Sequence, residues 1–227
     1  MQSSSYTITF AGILSLISSL LLSGVFMLLK DKQDENKKLD RQINILKAAQ
    51  INPQTMSQAK EMYQKLVTPL TIDENGQEHP LTDSNSKKGL DIYAIKNEQE
   101  QIIAYVYPIE GKGLWSSLYG YLAVDSKGIS IKGITFYQQG ETPGLGAEIE
   151  KEWFRNNFIG KSLQRDNAFF GIKVAKGLAI LDKEYKSYPQ NLVNGISGAT
   201  ITGDGVSEML KKIPKNYENF FSKKRVD

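Results

Sequence analysis

The sequence predicts an α+β protein: a single N-terminal transmembrane helix, then a domain in which an antiparallel sheet is flanked by helices. Three observations predict it. Residues 8–29 form an apolar run without one charged side chain. Residues 30–67 carry apolar positions at helical spacing. From Asp91 onward come short runs rich in β-branched and aromatic residues, divided by turn signals and closed by one more amphipathic helix.

The elements follow in chain order. As a helix, 8–29 would be about 33 Å long, enough to cross the hydrocarbon core of a bilayer. A cleavable signal peptide would begin with a basic segment and have a shorter apolar core, so an uncleaved anchor over 1–30 is expected. Residues 30–50 place Leu39, Ile43, Leu46 and Ala49 at helical spacing and read as an amphipathic stalk. Asn52-Pro53 offers an N-cap and an N1 proline for a helix over 53–67, with Met56, Ala59, Tyr63, Leu66 and Val67 along one side. Residues 72–90 are polar and turn-rich and are expected to be a loop, so 31–90 reads as helical stalk and linker and 91–227 as the remaining domain.

Within that domain, strands are expected at 92–95, 102–107, 118–124 and 129–137, with Asp125-Ser126-Lys127-Gly128 turning the last two into a hairpin. A helix carrying Ile149, Trp153, Phe154 and Phe158 follows, with Trp153 and Phe154 read as core. Two short strands near 171–174 and 178–181 come next. A helix from about 204 to 213 then sets Val206, Met209, Leu210 and Ile213 at i, i+3, i+4 and i+7. The chain has no internal repeat.

Composition narrows the chemistry. The 227 residues suffice for one ordinary domain and an appendage. The net charge of +3 is small and its signs are interspersed, so nucleic acid is not an expected partner. There is no cysteine, which excludes disulfides, thiolate metal sites, iron–sulfur ligation and cysteine nucleophiles within this chain. His79 is the only histidine, in a polar stretch, and reads as an exposed loop residue. A hydrolase triad and a two-histidine metal site are therefore unavailable, and no metal ligand is expected. Redox or group-transfer chemistry here requires a borrowed reactive group.

The segment that can hold such a group is Asn194-Gly195-Ile196-Ser197-Gly198-Ala199-Thr200-Ile201-Thr202-Gly203-Asp204-Gly205. Hydroxyls and glycines lie just before an amphipathic helix, whose first turn offers unpaired N–H groups and a positive dipole end to a phosphate. The four glycines let the backbone turn and come close to a bulky ligand. An ordinary helix cap by Thr202 or Asp204 fits the residue types equally well. A P-loop and a dinucleotide fingerprint do not fit, since neither Gly-Lys-Ser/Thr nor GxGxxG is present.

Ser197-Gly198-Ala199-Thr200 resembles the flavinylation motif of the FMN-binding domain family. Gly140-Glu141-Thr142-Pro143-Gly144-Leu145-Gly146 resembles the family's second signature, a turn beside the flavin. Gly111-Lys112-Gly113-Leu114-Trp115, followed by Tyr119-Gly120-Tyr121-Leu122-Ala123, resembles a third, typical of the C subunits of sodium-pumping NADH:quinone oxidoreductases. The resemblance implies FMN bound covalently by a phosphoester to Thr200, installed by a flavin transferase from FAD. It also implies Ser197, Gly198, Ala199, Leu114, Trp115, Glu141, Thr142 and Leu145 around the cofactor. Glu141 and Thr142 would hydrogen-bond near the ring or ribityl chain, and Leu114 and Trp115 would either wall the ring or serve packing. No base for the Thr200 hydroxyl is evident in the domain, which agrees with modification by a separate enzyme. One departure is Asn194, where family members commonly have Asp; a carboxylate there could serve the transferase or its Mg²⁺.

The implied role is electron relay between an iron–sulfur centre and the flavin of a membrane subunit, within a six-subunit complex of the bacterial inner membrane that couples NADH oxidation by ubiquinone to sodium export. Alternatives are the related G subunit of an Rnf-type complex, a non-redox membrane-anchored module holding a phosphate ligand, and a family member that assembles without flavin. Topology draws on two opposed indications. Lys30 and Lys32 directly after the span lean towards a cytoplasmic domain, whereas the resemblance implies a periplasmic one.

Overall fold

The computed structural model describes residues 4–81, 89–166, 168–212 and 214–226. The first helix, α1, runs unbroken over Ser4–Ala48. It contains an 18-residue window of mean hydropathy 2.2 with none of it buried, the length and composition of a membrane span. The chain divides into two compact units, Met1–Arg41 and Gln42–Asp227. The second begins with the last two turns of α1, where Ile45, Leu46 and Ala48 are fully buried. Asn44 O accepts a hydrogen bond from Thr135 Oγ1 at 3.3 Å, and a side chain at Gly133 would run into the Ala48 carbonyl.

Helix α2, Met56–Leu66, begins later than the Asn52-Pro53 pair suggests. Thr55 is its N-cap: the hydroxyl accepts the Gln58 N–H at 3.2 Å, and Gln58 Oε1 reaches back to the Gln54 N–H at 2.7 Å. This exchange satisfies two amide donors at once and outweighs the proline signal. The helix passes directly into a strand at Val67, which is why the pattern at 53–67 reads as one helix.

Six strands form one sheet in the order β2-β1-β3-β4-β5-β6. They are β1 Val67–Ile72, β2 Glu78–Pro80, β3 Leu90–Lys96, β4 Ile102–Lys112, β5 Ser117–Asp125 and β6 Ile131–Gln138. Every neighbouring pair is antiparallel. β3 to β6 fall where strands are expected. β1 and β2 do not: the expected helix ends at Val67 and the expected loop covers 72–90, because three of the six β1 residues are half-buried and blur the alternation. His79 accordingly sits on edge strand β2, beside Asp73 at 3.3 Å, rather than in a free loop.

Both faces of the sheet are covered. Ile92, Tyr105, Tyr107, Leu122 and Val124 are buried on one, and their neighbours Tyr93, Val106, Tyr121 and Ala123 on the other. The first face receives helices α4, Thr200–Lys211, and α5, Lys215–Val226. On α4, Val206, Met209 and Leu210 are buried as the periodicity predicts, while Ile213 lies outside the described residues. α5 is an addition to the predicted elements, although Tyr217, Phe220 and Phe221 stand at i, i+3 and i+4. Tyr217 packs on Tyr107 at 4.6 Å and Phe220 on Tyr105 at 5.0 Å.

Between β6 and α4 the chain is irregular. The expected helix through Ile149 and Phe158 is broken at Lys151, which is extended (φ −72°, ψ 145°). A 3-10 turn at Gly146–Glu150, the short helix α3 at Glu152–Arg155 and a second turn at Asn156–Phe158 replace it. Ile149, Phe154 and Phe158 are buried, but Trp153 is half exposed, its indole donating to Glu148 Oε2 at 3.4 Å, and is not core. Strands β7, Gln164–Arg165, and β8, Ala168–Phe169, pair with each other. The expected strand at 171–174 contracts to β9, Lys173–Val174, parallel to β10, Leu192–Val193. Residues 178–181 are no strand: Ala179–Leu181 is a 3-10 turn that leaves Leu178, Ile180 and Leu181 exposed. Asn194 Oδ1 takes the Ala179 N–H at 2.8 Å, which commits this backbone to a turn instead of a ladder.

Candidate cofactor site

Three segments distant in sequence converge at one end of the sheet. The tip of the β4–β5 hairpin contributes Leu114 and Trp115, the turn after β6 contributes Glu141, Thr142, Leu145 and Gly146, and the start of α4 contributes Gly198 to Thr202. Together they line a cleft of about 260 Å³. Of the expected site residues, Leu114, Trp115, Glu141, Thr142, Leu145, Gly198, Ala199 and Thr200 all line it; Ser197 is exposed just before it.

The turn after β6 follows from its sequence. Leu145 N–H bonds Thr142 O at 3.1 Å, with Pro143 second and Gly144 third at φ 75°, the arrangement of a type II turn. The hairpin tip closes by a bond from Gly113 N to Ser116 O at 2.8 Å. Its next three amides all turn inward to the Glu141 carboxylate. Leu114 N donates to Oε2 at 3.1 Å, and Trp115 N and Ser116 N donate to Oε1 at 2.9 and 3.2 Å. Thr202 Oγ1 adds a fourth bond, 2.5 Å to Oε2. Burial raises the carboxyl pKa, but the bonds from Thr202, Trp115, Leu114 and Ser116 outweigh it and hold Glu141 below its ordinary value. Glu141 is therefore an anion whose oxygens are taken up by its own chain.

Helix α4 starts four residues before the expected Asp204. Its N-cap is Ala199, without a side-chain cap, and the first helical bond runs from Gly203 N to Ala199 O at 3.0 Å. Neither Thr202 nor Asp204 caps it: Thr202 lies inside the helix, 2% exposed and turned to Glu141. The first turn, Thr200 to Thr202, thus lines the cleft without a side-chain cap and with a positive dipole end behind it. Thr200 is the first helical residue and is exposed; its hydroxyl has no hydrogen bond among the described residues. The glycines divide by role. Gly198, at φ 75°, turns the chain into the helix. Gly195, Gly203 and Gly205 instead face the chain's own atoms: the Ala175 carbonyl, the Val174 side chain and the Lys112 carbonyl.

Asn194 lies off the cleft. Its Nδ2 donates to Asn157 Oδ1 at 3.2 Å, while Asn157 spends its own Nδ2 on the Trp153 and Phe154 carbonyls at 2.8 and 3.0 Å. Asn157 can therefore offer only oxygen, and an aspartate at 194 would face it with another oxygen. That is a physical reason for asparagine at this position.

An uncapped helix N-terminus, an accessible hydroxyl at its first residue, and the apolar surfaces of Leu114, Trp115, Leu145 and Ile201 suit a flat aromatic cofactor that ends in a phosphate. Residues 113–214 match the model of the FMN-binding domain family. NqrC of Haemophilus ducreyi, the C subunit of its Na(+)-translocating NADH-quinone reductase, is 35% identical over 92% of this chain and 89% of that protein. The chain belongs to the NqrC family. A second relative, the C subunit of the Yersinia pestis reductase, is 35% identical over 86% of this chain and 82% of its own length. Among solved structures, the C subunit of the Parabacteroides distasonis reductase superposes with a TM-score of 0.72 at 34% identity, covering 86% of this chain and 97% of that one. NqrC of Shewanella oneidensis gives 0.72 at 26% identity, covering 85% and 100%. As a member of the NqrC family, the chain is a flavoprotein subunit of an electron-transport complex, with an FMN-binding domain behind one helix long and apolar enough to span a membrane.

Proposed function

We propose that this chain is the covalent-FMN electron-transfer subunit of a sodium-translocating NADH:quinone reductase, with the flavin phosphate esterified to Thr200. The observation that carries the reading is the position of Thr200: first residue of an uncapped helix, exposed, at the rim of the cleft that the three motif segments build. A flavin transferase would use FAD as donor. Thr200 Oγ would bond to the FMN-side phosphorus, the pyrophosphate P–O bond would break, AMP would leave, and the hydroxyl proton would pass to a base outside this domain. The α4 amides would hold the ester phosphate, while Leu114, Trp115 and Leu145 would shield the ring from water. Bound there, FMN supplies one-electron exchange, and the chain sets its position and potential. The electrons would pass between an iron–sulfur centre and the flavin of a membrane subunit. The other members of a six-subunit inner-membrane complex would provide NADH oxidation, ubiquinone reduction and the sodium path. The soluble unit would face the periplasm, where covalent attachment retains a cofactor that could not be recaptured.

The experiment is peptide mass spectrometry on the full chain co-expressed with a flavin transferase, either exported or confined to the cytoplasm. The expected result is one FMN increment on the Thr200 peptide, absent in Thr200→Ala and formed only with the exported enzyme. An unmodified wild-type chain, beside a transferase active on a control protein, would sink the electron-carrier reading. Attachment by the confined enzyme alone would overturn the periplasmic assignment.

A further inference from the structure

The carboxylate of Glu141 stands where the three walls of the cleft meet, and its oxygens are engaged by the chain rather than directed at the open volume. The space around it is closed. A Cβ at Gly113 would lie 2.6 Å from Oε1, and one at Gly146 would lie 2.5 Å from Thr202 Oγ1 and 2.9 Å from Oε2. The two motif glycines are thus explained by the carboxylate between them. Three successive N–H groups, of Leu114, Trp115 and Ser116, form a concavity of the kind that binds anions; here the chain fills it with its own anion.

We propose that Glu141 is the positioning residue of the cofactor cleft: its carboxylate occupies the amide concavity of the 114–116 tip and ties that tip to the first turn of α4 through Thr202. Two consequences follow, both resting on the reading of Thr200 as flavin acceptor. The tie fixes the apolar lip of Leu114 and Trp115 at one distance from Thr200. With the hairpin amides already satisfied, the α4 N-terminus is left as the end of the cleft that takes a phosphate. The Thr202–Glu141 pair resembles a base-activated hydroxyl. At 2% exposure, however, Thr202 admits no incoming phosphorus, whereas Thr200 does.

The test compares full-length wild type, Glu141→Gln and Thr202→Val. Hydrogen exchange is read on protein made without transferase, so that the first readout needs no flavin. In Glu141→Gln the amides of 114–116 are expected to exchange about tenfold faster, because a neutral side chain with one acceptor oxygen replaces a carboxylate with two. In Thr202→Val those amides keep wild-type protection, while the first turn of α4 loosens. With purified transferase and FAD, both variants should take flavin on Thr200 about tenfold more slowly. Once attached, the flavin in Glu141→Gln should have a more positive midpoint potential, since a nearby negative charge is gone; Thr202→Val, which keeps the charge, should not show this shift. Wild-type exchange at 114–116 in Glu141→Gln, or an unaltered attachment rate with an unaltered potential, would overturn the proposal. If Glu141→Gln does not fold, Thr202→Val decides by the same attachment rate. A wild-type chain that takes no flavin would instead count against the function proposed above, and the exchange readout would still judge the clamp.

Discussion

At the scale of single residues, the cleft depends on an ionised carboxylate in a nearly closed place. Glu141 is 5% exposed. Burial alone would raise its pKa; the Thr202 hydroxyl and three hairpin amides bring it below the ordinary value of 4.5. A group whose pKa is lower folded than unfolded stabilises the fold in full above the unfolded value. That stabilisation is lost as pH falls through the lowered folded value. The contribution of Glu141 should therefore be complete above about pH 4.5 and fade below it. Replacement by Gln should cost about 1.5–3 kcal/mol at neutral pH, the range for hydrogen bonds to a charged group. Denaturant titrations of wild type and Glu141→Gln from pH 7 to pH 3 check this, with the gap between the two expected to close at the acid end. A gap independent of pH would mean that the charge contributes nothing. The importance of Glu141 is visible in the sequence only as part of a motif. Its partners lie 25 to 27 residues away on the hairpin and 61 away on α4, and no periodicity reports contacts of that range. The local trace is the pair Gly113 and Gly146, each set where a side chain would meet the carboxylate or its partner.

At the scale of elements, α4 presents Thr200, the proposed flavin acceptor, because it lies almost on the backbone of β4. Gly205 makes that approach possible: a Cβ there would collide with the Lys112 carbonyl, whereas one on Gly203 would meet Val174 Cγ1 at 3.1 Å, a side chain with room to give. Gly205→Ala should therefore cost about 1–3 kcal/mol and displace Thr200, since overpacking against backbone cannot be relieved by a rotamer change. Gly203→Ala should be close to neutral, helped by better helix propensity. Thermal unfolding and flavin incorporation on the two variants check the contrast; equal losses would place the close contact elsewhere. The same physics decides which elements are legible. β3 to β6 and α4 show their period because they are long and lie against apolar layers. β1 is hidden because α2 runs into it without a break and half its residues are only partly buried. The segment 178–181 has strand composition but becomes a turn through one side-chain bond from Asn194, a tertiary choice that local propensity does not carry.

At the scale of the whole molecule, the boundary between anchor and folded unit falls inside a helix. α1 continues without interruption to Ala48, yet the compact unit starts at Gln42. The sequence pattern suggests a stalk that ends before the domain. Instead Ile45, Leu46 and Ala48 are fully buried, and the carbonyls of Asn44 and Ala48 stand against Thr135 and Gly133 of β6. The folded unit thus includes the base of the stalk, together with β1 and β2 in front of β3. Truncation distinguishes this from a domain that starts at Asp91. A chain beginning at Gln42 should fold with nearly the thermal stability of the same unit in the full-length protein, because it keeps Ile45, Leu46 and Ala48, the fully buried residues of that helix end. One beginning at Asn52 should lose about 3–6 kcal/mol, the burial of Ile45 and Leu46 at roughly 1.5–3 kcal/mol each. One beginning at Asp91 would leave β3 as an unpaired edge with Ile92 and Ala94 uncovered, and should aggregate. Calorimetry on the three chains, in detergent-free buffer, measures the series. Equal stability of the Gln42 and Asn52 chains would show that the end of α1 only tethers the sheet, and a folded Asp91 chain would return the boundary to the point where the strand pattern first becomes visible.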